Sequence, residues 1–412
     1  MSKGLNDIDL YELLENPSLI STDSRDLNNK KYFICFSGKN FDSHDFVGDL
    51  ISNVSIKYIF IDKSLDFNSE KLVKVDKCLD FYHHLAHQYR KKINPKLIAI
   101  TGSAGKTTTK KLLNTVLSSH FRTHATDANF NNEYGVPKTI LSMPINTEVL
   151  ICEMGMRGLG QIDYLTKTAE PNFAAITNIG SAHIERLGSL EKIREAKLEI
   201  VNGFNIKNES NNLYVDKKLA DFISNSEHYS KLLNEKCVEL RVFDSFSYEG
   251  SPLFLISEGL LADMDLVRLI ALDLGISEAD IKLALESHLP DSGRGNFIFK
   301  DSINDKKNIL FIDETYNANL EAVKNSVKAI KEIFPNDKKI IVLGEIRESD
   351  ELQVEMLFRE YNLDESIELV DARHFEHPES KMIIDSLLVD NSVVFFKASR
   401  SEKLEELIAL YD

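Results

Sequence analysis

Apolar and polar positions change rhythm along this chain. From Lys96 onward, short continuous apolar runs alternate with amphipathic stretches. Leu97-Ile98-Ala99-Ile100, Val149-Leu150-Ile151-Cys152 and Phe173-Ala174-Ala175-Ile176 have strand length and no polar face. That is the pattern of parallel strands covered on both sides. Between and after them, Thr107 to His120 and Leu190 to Phe204 carry apolar residues at helical spacing. The alternation predicts a parallel α/β sheet.

Before Lys96 the runs are shorter and broken by turns. Tyr32 to Phe36 and Tyr58 to Ile61 read as strands, and Leu79 to Tyr89 as a helix. Asn94-Pro95 disfavours continuation of that helix and marks a boundary. Residues 205 to 257 are polar and less regular, followed by helices at Leu266 to Leu274 and Glu278 to Glu286. The turn-rich Leu289 to Gly295 reads as a second linker. The alternation then restarts, with strands at Ile309 to Ile312, Lys339 to Leu343, Ile367 to Val370 and Val393 to Phe396, and helices at Glu321 to Ile330 and Glu402 to Tyr411. The reading is an α/β protein of three domains, spanning 1–94, 95–292 and 293–412. No internal repeat or low-complexity tract interrupts it.

The 412 residues, 43% hydrophobic and 28% charged, have ample material for buried cores. With 49 Lys plus Arg against 65 Asp plus Glu, the net charge is −16. So acidic a chain argues against general binding to nucleic acid or anionic membranes. No apolar run is long enough for a membrane span, and MSKGLNDIDL lacks the apolar core of a signal peptide. Cys35, Cys78, Cys152 and Cys237 form no CxxC pair, and Cys35 and Cys152 sit in apolar runs. Free thiols in a reducing compartment, the cytoplasm, are the simplest expectation.

Candidate chemistry clusters where the central strands end. Thr101-Gly102-Ser103-Ala104-Gly105-Lys106-Thr107 follows a strand and opens a helix, the context a phosphate-binding loop requires. The full G-x-x-x-x-G-K-[ST] pattern is not met, because Ile100 stands at its first glycine. The physics is retained: glycines admit phosphate oxygens, the helix N-terminus offers N–H groups, and Lys106 adds a point charge. Thr107 would place a hydroxyl on Mg²⁺.

Glu153 ends the next strand, at the ligand face of such a sheet. It would bind Mg²⁺ or stand as a solvated strand-end carboxylate. His183, after Thr177-Asn178, would reach the same face as a metal or phosphate ligand, although a lone histidine is more often structural. Lys197 lies four residues after Ile193 and three before Ile200, on the apolar face of its helix. It either snorkels or serves the site, and sequence alone favours snorkelling. Asp313 to Asn319 ends a strand of the last domain as a ligand edge or an Asx-rich turn. His83 and His87 have helical metal-binding spacing but no third ligand, so a surface helix is preferred.

These motifs, in this order, resemble the Mur ligases over nearly the whole chain. The resemblance rests on TGSAGKTTTK (101–110), NFNNEYGVPKTIL (129–141), EMGMRGLGQIDYL (153–165), ITNIGSAHIERLGSLEKIREAKLEI (176–200), GRG (293–295), IDETYNAN (312–319), VLGEI (342–346), FKASR (396–400) and an N-terminal Asp23-Ser24-Arg25. It implies ATP-dependent amide formation through an acyl phosphate, with ATP and Mg²⁺ as cofactors. Gly102, Ser103, Ala104, Gly105, Lys106, Thr107 and Thr108 would cradle phosphates. Thr107, Glu153, His183 and a carbamylated Lys197 would hold Mg²⁺. Lys106, Glu153, His183 and Lys197 would carry catalysis. Asn178, Arg294, Asp313 and Asn317 would contact the nucleotide. Ser24, Arg25, Asn129, Asn131 and Asn132 would contact the acceptor.

The implied partners are small molecules: a carboxylate acceptor, expected to be a UDP-linked peptide, and an amine such as D-Ala-D-Ala. The implied enzyme is a cytoplasmic monomer of peptidoglycan precursor synthesis that binds no nucleic acid and does not enter membranes.

Several positions depart from the family pattern. Asp42-Ser43-His44 replaces D-G-H, Leu320 replaces a proline, and VLGEIRESDE (342–351) replaces G-D-M-x-E-L-G. No H-N pair occurs near Gly259 to Asp265, and the chain is shorter between Phe204 and Glu258. These departures leave two alternatives: a ligase of another pathway with changed substrates, and a non-catalytic nucleotide-binding protein.

Overall fold

The computed structural model describes all residues except 1–2, 5–9, 39–40, 181–183, 209, 245–256, 289–291, 317 and 347–349. Its strands form three sheets that follow one another along the chain.

The middle sheet contains β6 (Lys96–Thr101), β7 (Thr123–Ala125), β8 (Val149–Glu153), β9 (Phe173–Ile176), β10 (Asn211–Asp216) and β11 (Val238–Phe243). Their order is β11-β10-β9-β6-β8-β7, and all pairings are parallel. β6 lies between β8 and β9. The chain leaves it towards β7 on one side and later runs from β9 to β10 on the other. That reversal opens a crevice at the C-terminal strand ends.

Period-2 alternation feeds a core on each face. Leu97, Ala99, Leu150 and Cys152 point into one core, with the helices Gly135–Ser142 and Gln161–Ala169. Ile98, Ile100, Val149 and Ile151 point into the other, against Leu112 and Val116 of the helix Lys106–Ser118 and Val267 and Ile270 of the helix Glu258–Asp273.

The first sheet holds β1 (Lys3–Gly4), β2 (Ile20–Ser21), β3 (Tyr32–Ile34), β4 (Tyr58–Ile61) and β5 (Leu72–Lys74), in the order β1-β5-β4-β3-β2. The helix Cys78–Ile93 leads out of it and ends at Asn94, whose left-handed φ of 51° stops the turn before Pro95. This helix packs on the middle segment, and one continuous core runs from Leu13 to Leu233.

The last sheet contains β12 (Asn296–Ile303), β13 (Lys306–Glu314), β14 (Lys338–Leu343), β15 (Glu368–Asp371) and β16 (Ser392–Lys397), in the order β12-β13-β16-β14-β15. It has its own cores on both faces.

Three sequence expectations need correction. Residues 205–257 are not irregular where described: they supply β10, the helices Lys217–Asn225 and Glu227–Glu235, and β11. β11 is an edge strand whose half-exposed residues hide its apolar alternation. The stretch after Gly295 begins with β12, antiparallel to β13 and also at an edge. The Cys78–Ile93 helix does not present its histidines as a surface pair. His83 is buried, with Nδ1 at 2.6 Å from Thr168 Oγ1 and Nε2 at 2.7 Å from the Glu133 carbonyl. Only His84 of the three is exposed. Cys35, Cys78 and Cys152 are buried free thiols, whereas Cys237 is exposed. No helix among the described residues is long and apolar enough to cross a membrane.

Burial lowers the His83 pKa from 6.5 to about 4. The unfolded chain therefore takes up this proton first as pH falls, so stability is retained above 6.5 and lost towards 4. Chemical denaturation across that window is expected to show a stability loss that is smaller in His83→Gln. An identical pH slope in the variant would contradict this.

Candidate active site

β6 delivers the phosphate-type loop. Gly102 is required there, because a Cβ would lie 1.8 Å from Thr177 Oγ1. Gly105 has φ +80° and caps the Lys106 helix, and a Cβ there would lie 2.8 Å from Asp263 Oδ1. The end of β9 clamps the loop. Asn178 Oδ1 accepts from the Ser103 and Ala104 N–H groups at 3.1 and 2.9 Å, and its Nδ2 donates to the Ala104 carbonyl at 3.2 Å. Thr177 Oγ1 donates to the same carbonyl. Asn178 thus acts on the loop backbone. Ser103 is tied to the Gly180 backbone, and Lys106 Nζ donates to the Gly102 carbonyl at 2.7 Å. Ala104 and Thr108 are half-buried in this segment.

β8 delivers Glu153, which is buried. Thr107 Oγ1 donates to Glu153 Oε2 at 3.1 Å, and Asn131 Nδ2 to Oε1 at 2.9 Å. The two oxygen donors predicted from sequence to share a metal are therefore in contact. Hydroxyl and carboxylate oxygens are the donor type a hard divalent cation takes.

Lys197 is 1% exposed and does not snorkel. Burial, reinforced by Lys106, drives its amine well below the ordinary lysine range. Lys197 and Lys106 line a cavity of about 1070 Å³ together with Gly102, Ser103, Asn129, Asn131 and Asn132. Arg157, Gln161 and Arg186, with the carboxylates Glu133 and Glu185, also line it. Asn132 also accepts the N–H groups of Tyr134 and Gly135, which start the next helix.

The last sheet reaches the loop from outside. Arg294 stacks on Tyr316 at 4.0 Å, and its Nε is buried with no hydrogen-bond partner among the described residues. Arg294 lines a cavity of about 320 Å³ with Thr107, Lys110, Lys111 and Thr126. Asp127 lines it too, so a carboxylate partly offsets its cations, and Lys110 among them is already paired with Glu153. Asp313 serves the turn that carries Arg294: its Oδ2 accepts from Gly293 N at 2.8 Å and its Oδ1 from Thr315 Oγ1 at 2.7 Å.

Ser24 is half-buried and Arg25 exposed, the latter paired with Asp23 at 2.7 Å. Neither lines the large cavity. His183 and Asn317 lie outside the described residues.

Sequence reasoning missed Lys110 and Asp263. Lys110 is buried, 3.4 Å from Glu153 Oε2. Its spacing of three from Thr107 puts both on one helix face and was the available signal. Asp263 interrupts the apolar run of its helix, is buried, and accepts from Thr109 Oγ1 at 3.0 Å. Nearby, Ala128 adopts φ +43°. For a residue with a Cβ that conformation costs about 1–2 kcal/mol.

Residues 100–236 match the Mur ligase middle domain. The chain is 31% identical over 427 residues to the UDP-N-acetylmuramoyl-tripeptide–D-alanyl-D-alanine ligase of Bacillus subtilis strain 168, covering 94% of this chain and 92% of that one. The chain belongs to the Mur ligase family. The Escherichia coli K12 ligase of the same name is 26% identical to this Mur ligase over 432 residues, covering 94% and 92% of the two chains. The solved MurF ligase of Thermotoga maritima in complex with ADP superposes with a TM-score of 0.80 at 26% identity, covering 97% of this Mur ligase and 98% of that chain. MurF from Acinetobacter baumannii gives a TM-score of 0.77 at 26% identity, covering 95% and 92%.

Burial raises the Asp263 pKa from 3.8 to about 8. Its folded form holds a proton that the unfolded chain has already released, so its contribution to stability falls from pH 3.8 up to 8. Asp263→Asn keeps an acceptor for Thr109 and removes this loss. The variant is expected to melt a few degrees higher than wild type near pH 8, with the gain vanishing near pH 4. Equal gain at both pH values would show that ionisation is not its source.

Proposed function

We propose that this Mur ligase joins D-alanyl-D-alanine to the terminal carboxylate of a UDP-N-acetylmuramoyl tripeptide with ATP cleavage, a step of peptidoglycan precursor synthesis. The observation that carries the reading is one cavity lined by the Lys106 loop, Asn131 and buried Lys197, to whose wall the Thr107–Glu153 pair is joined through the Asn131 amide. It occurs in a chain that is collinear with ligases of that name.

The reaction needs positioning and charge stabilisation more than covalent protein chemistry. Lys106 and the N-terminal N–H groups of its helix hold the nucleotide phosphates. Thr107 and Glu153 are the residues that would hold Mg²⁺, with His183 and a carbamylated Lys197 completing the oxygen and nitrogen donors. When bound, the metal neutralises phosphoryl charge. Burial favours the neutral amine of Lys197, the form that adds to CO₂, giving a carbamate and releasing a proton. A carbamate also explains why a lysine sits on the apolar face of its helix.

The acceptor carboxylate takes the γ-phosphoryl group and becomes an acyl phosphate. The incoming amine attacks its carbonyl carbon, and the tetrahedral adduct expels phosphate. Asn129, Asn131 and Asn132 face the acceptor. Ser24 and Arg25 hold its nucleotide end. Arg294, on its turn organised by Asp313, contacts ATP from the last domain, with Asn317. Closure of the last domain over the crevice would keep water from the acyl phosphate.

Two measurements test this. Incubation with ATP, Mg²⁺, a UDP-N-acetylmuramoyl tripeptide and D-Ala-D-Ala is expected to yield the pentapeptide and ADP by mass spectrometry, at roughly 1 per second or faster. ADP release only with another carboxylate and amine would replace the substrate assignment. Nucleotide binding with no turnover on any pair would replace the ligase reading. Lys197→Ala is expected to abolish turnover and to resist rescue by bicarbonate, and near-normal activity would remove Lys197 from the mechanism.

A further inference from the structure

Lys110 is an ammonium taken out of water beside the crevice. Its side chain is 4% exposed. Its Nζ lies 3.4 Å from Glu153 Oε2, the oxygen that also accepts from Thr107, and 3.1 Å from the Ala128 carbonyl. Ala128 is the left-handed residue that turns the chain into Asn129 and Asn131. At Ala128 itself the Asp127 carboxylate accepts from the backbone N at 2.8 Å, and the far end of the turn is held by the Asn131 carbonyl, which accepts from Gly155 N at 2.7 Å. One cation thus touches both the carboxylate assigned to the metal and the bend that presents the asparagines.

We propose that Lys110 is a positioning residue that pins the Ala128 bend to Glu153 and competes with the divalent cation for that carboxylate. The proposal takes the identity of the cation from the ligase reading; the clamp itself is a property of the chain alone. Two opposite effects follow. Removing the ammonium frees Glu153 for the metal, because a positive charge so near opposes the arrival of another. Removing it also releases the bend, so the acceptor meets a less ordered surface and its KM rises more than kcat falls.

The test uses the full-length protein with Lys110→Met, which keeps an apolar stem, and Lys110→Arg, which keeps the charge. Amide exchange of residues 127–132 without ligands is expected to quicken about tenfold in the Met variant. With ADP present, Mn²⁺ read by electron paramagnetic resonance is expected to bind roughly threefold or more tighter in that variant. The Arg variant is expected to stay within a factor of about two of wild type on both readouts. Unchanged exchange in the Met variant, or weaker Mn²⁺ binding, overturns the proposal. Failure of both variants to fold also overturns it, since Lys110 would then act by packing. Neither the exchange nor the Mn²⁺ readout requires turnover, so both stand if the substrate assignment fails.

Discussion

The contact between Thr107 and Glu153 ties together the parts of this molecule that must act at once. One residue lies in the first turn of the helix after β6 and the other ends β8. They meet only because β6 and β8 are paired in parallel with Ile100 opposite Glu153. A slip of one residue would turn Glu153 to the opposite face. The continuous apolar runs of both strands, sorted alternately into two cores, hold that register. The hydrophobic pattern therefore sets a polar distance.

The same strand ends explain why so many polar groups are buried here. Glu153, Lys197, Lys110 and Asp263 are all at least nine-tenths buried, and a lone charge in such a place is costly. The four differ in how that cost is met. Glu153 has Thr107, Asn131 and Lys110 about it. Lys197 and Asp263 are pushed towards their neutral forms. A neutral amine beside a cavity is a reactive group, and a neutral carboxyl beneath Gly105 is one that does not compete with phosphate for the helix N-terminus. Burial thus does different chemistry at Lys197, in the cavity wall, and at Asp263, behind Gly105.

The sequence made legible the elements whose residues answer to a single strong constraint. β6, β8 and β9 are covered on both sides and read as apolar runs. The glycines of the loop are recognisable from the close approach they permit. Lys197 stands out because a cation breaks an apolar face. What escaped the sequence was decided by neighbours far along the chain. β11 and β12 are edge strands, half-exposed, so their alternation is diluted by polar residues. His83 looks like a surface residue until Thr168 and Glu133 are placed around it. Asn178 and Asp313 read as ligand contacts, yet their side chains hold the loop and the turn that carry such contacts. A residue that supports a binding loop has the same composition signature as one that binds.

The distribution of cores bears on how the crevice can close. The first two sheets share one continuous core, and the helix Cys78–Ile93 is anchored in the second segment by His83 and by Arg90, whose Nε donates to the Ala169 carbonyl at 2.9 Å. Moving the first sheet against the second would expose packed apolar surface. The last sheet has separate cores and meets the crevice through polar groups: Glu321 against Gly180, Lys328 paired with Glu258, and Arg294 facing the Lys106 helix. Exposed ion pairs of that kind are worth about 1 kcal/mol or less each, far below the cost of opening a shared core. Among the described residues, the second and third sheets are thus held together by weaker contacts than the first and second. Arg294, which lines a cavity with Thr107 and Lys110 of the Lys106 helix, sits on the weaker of the two interfaces.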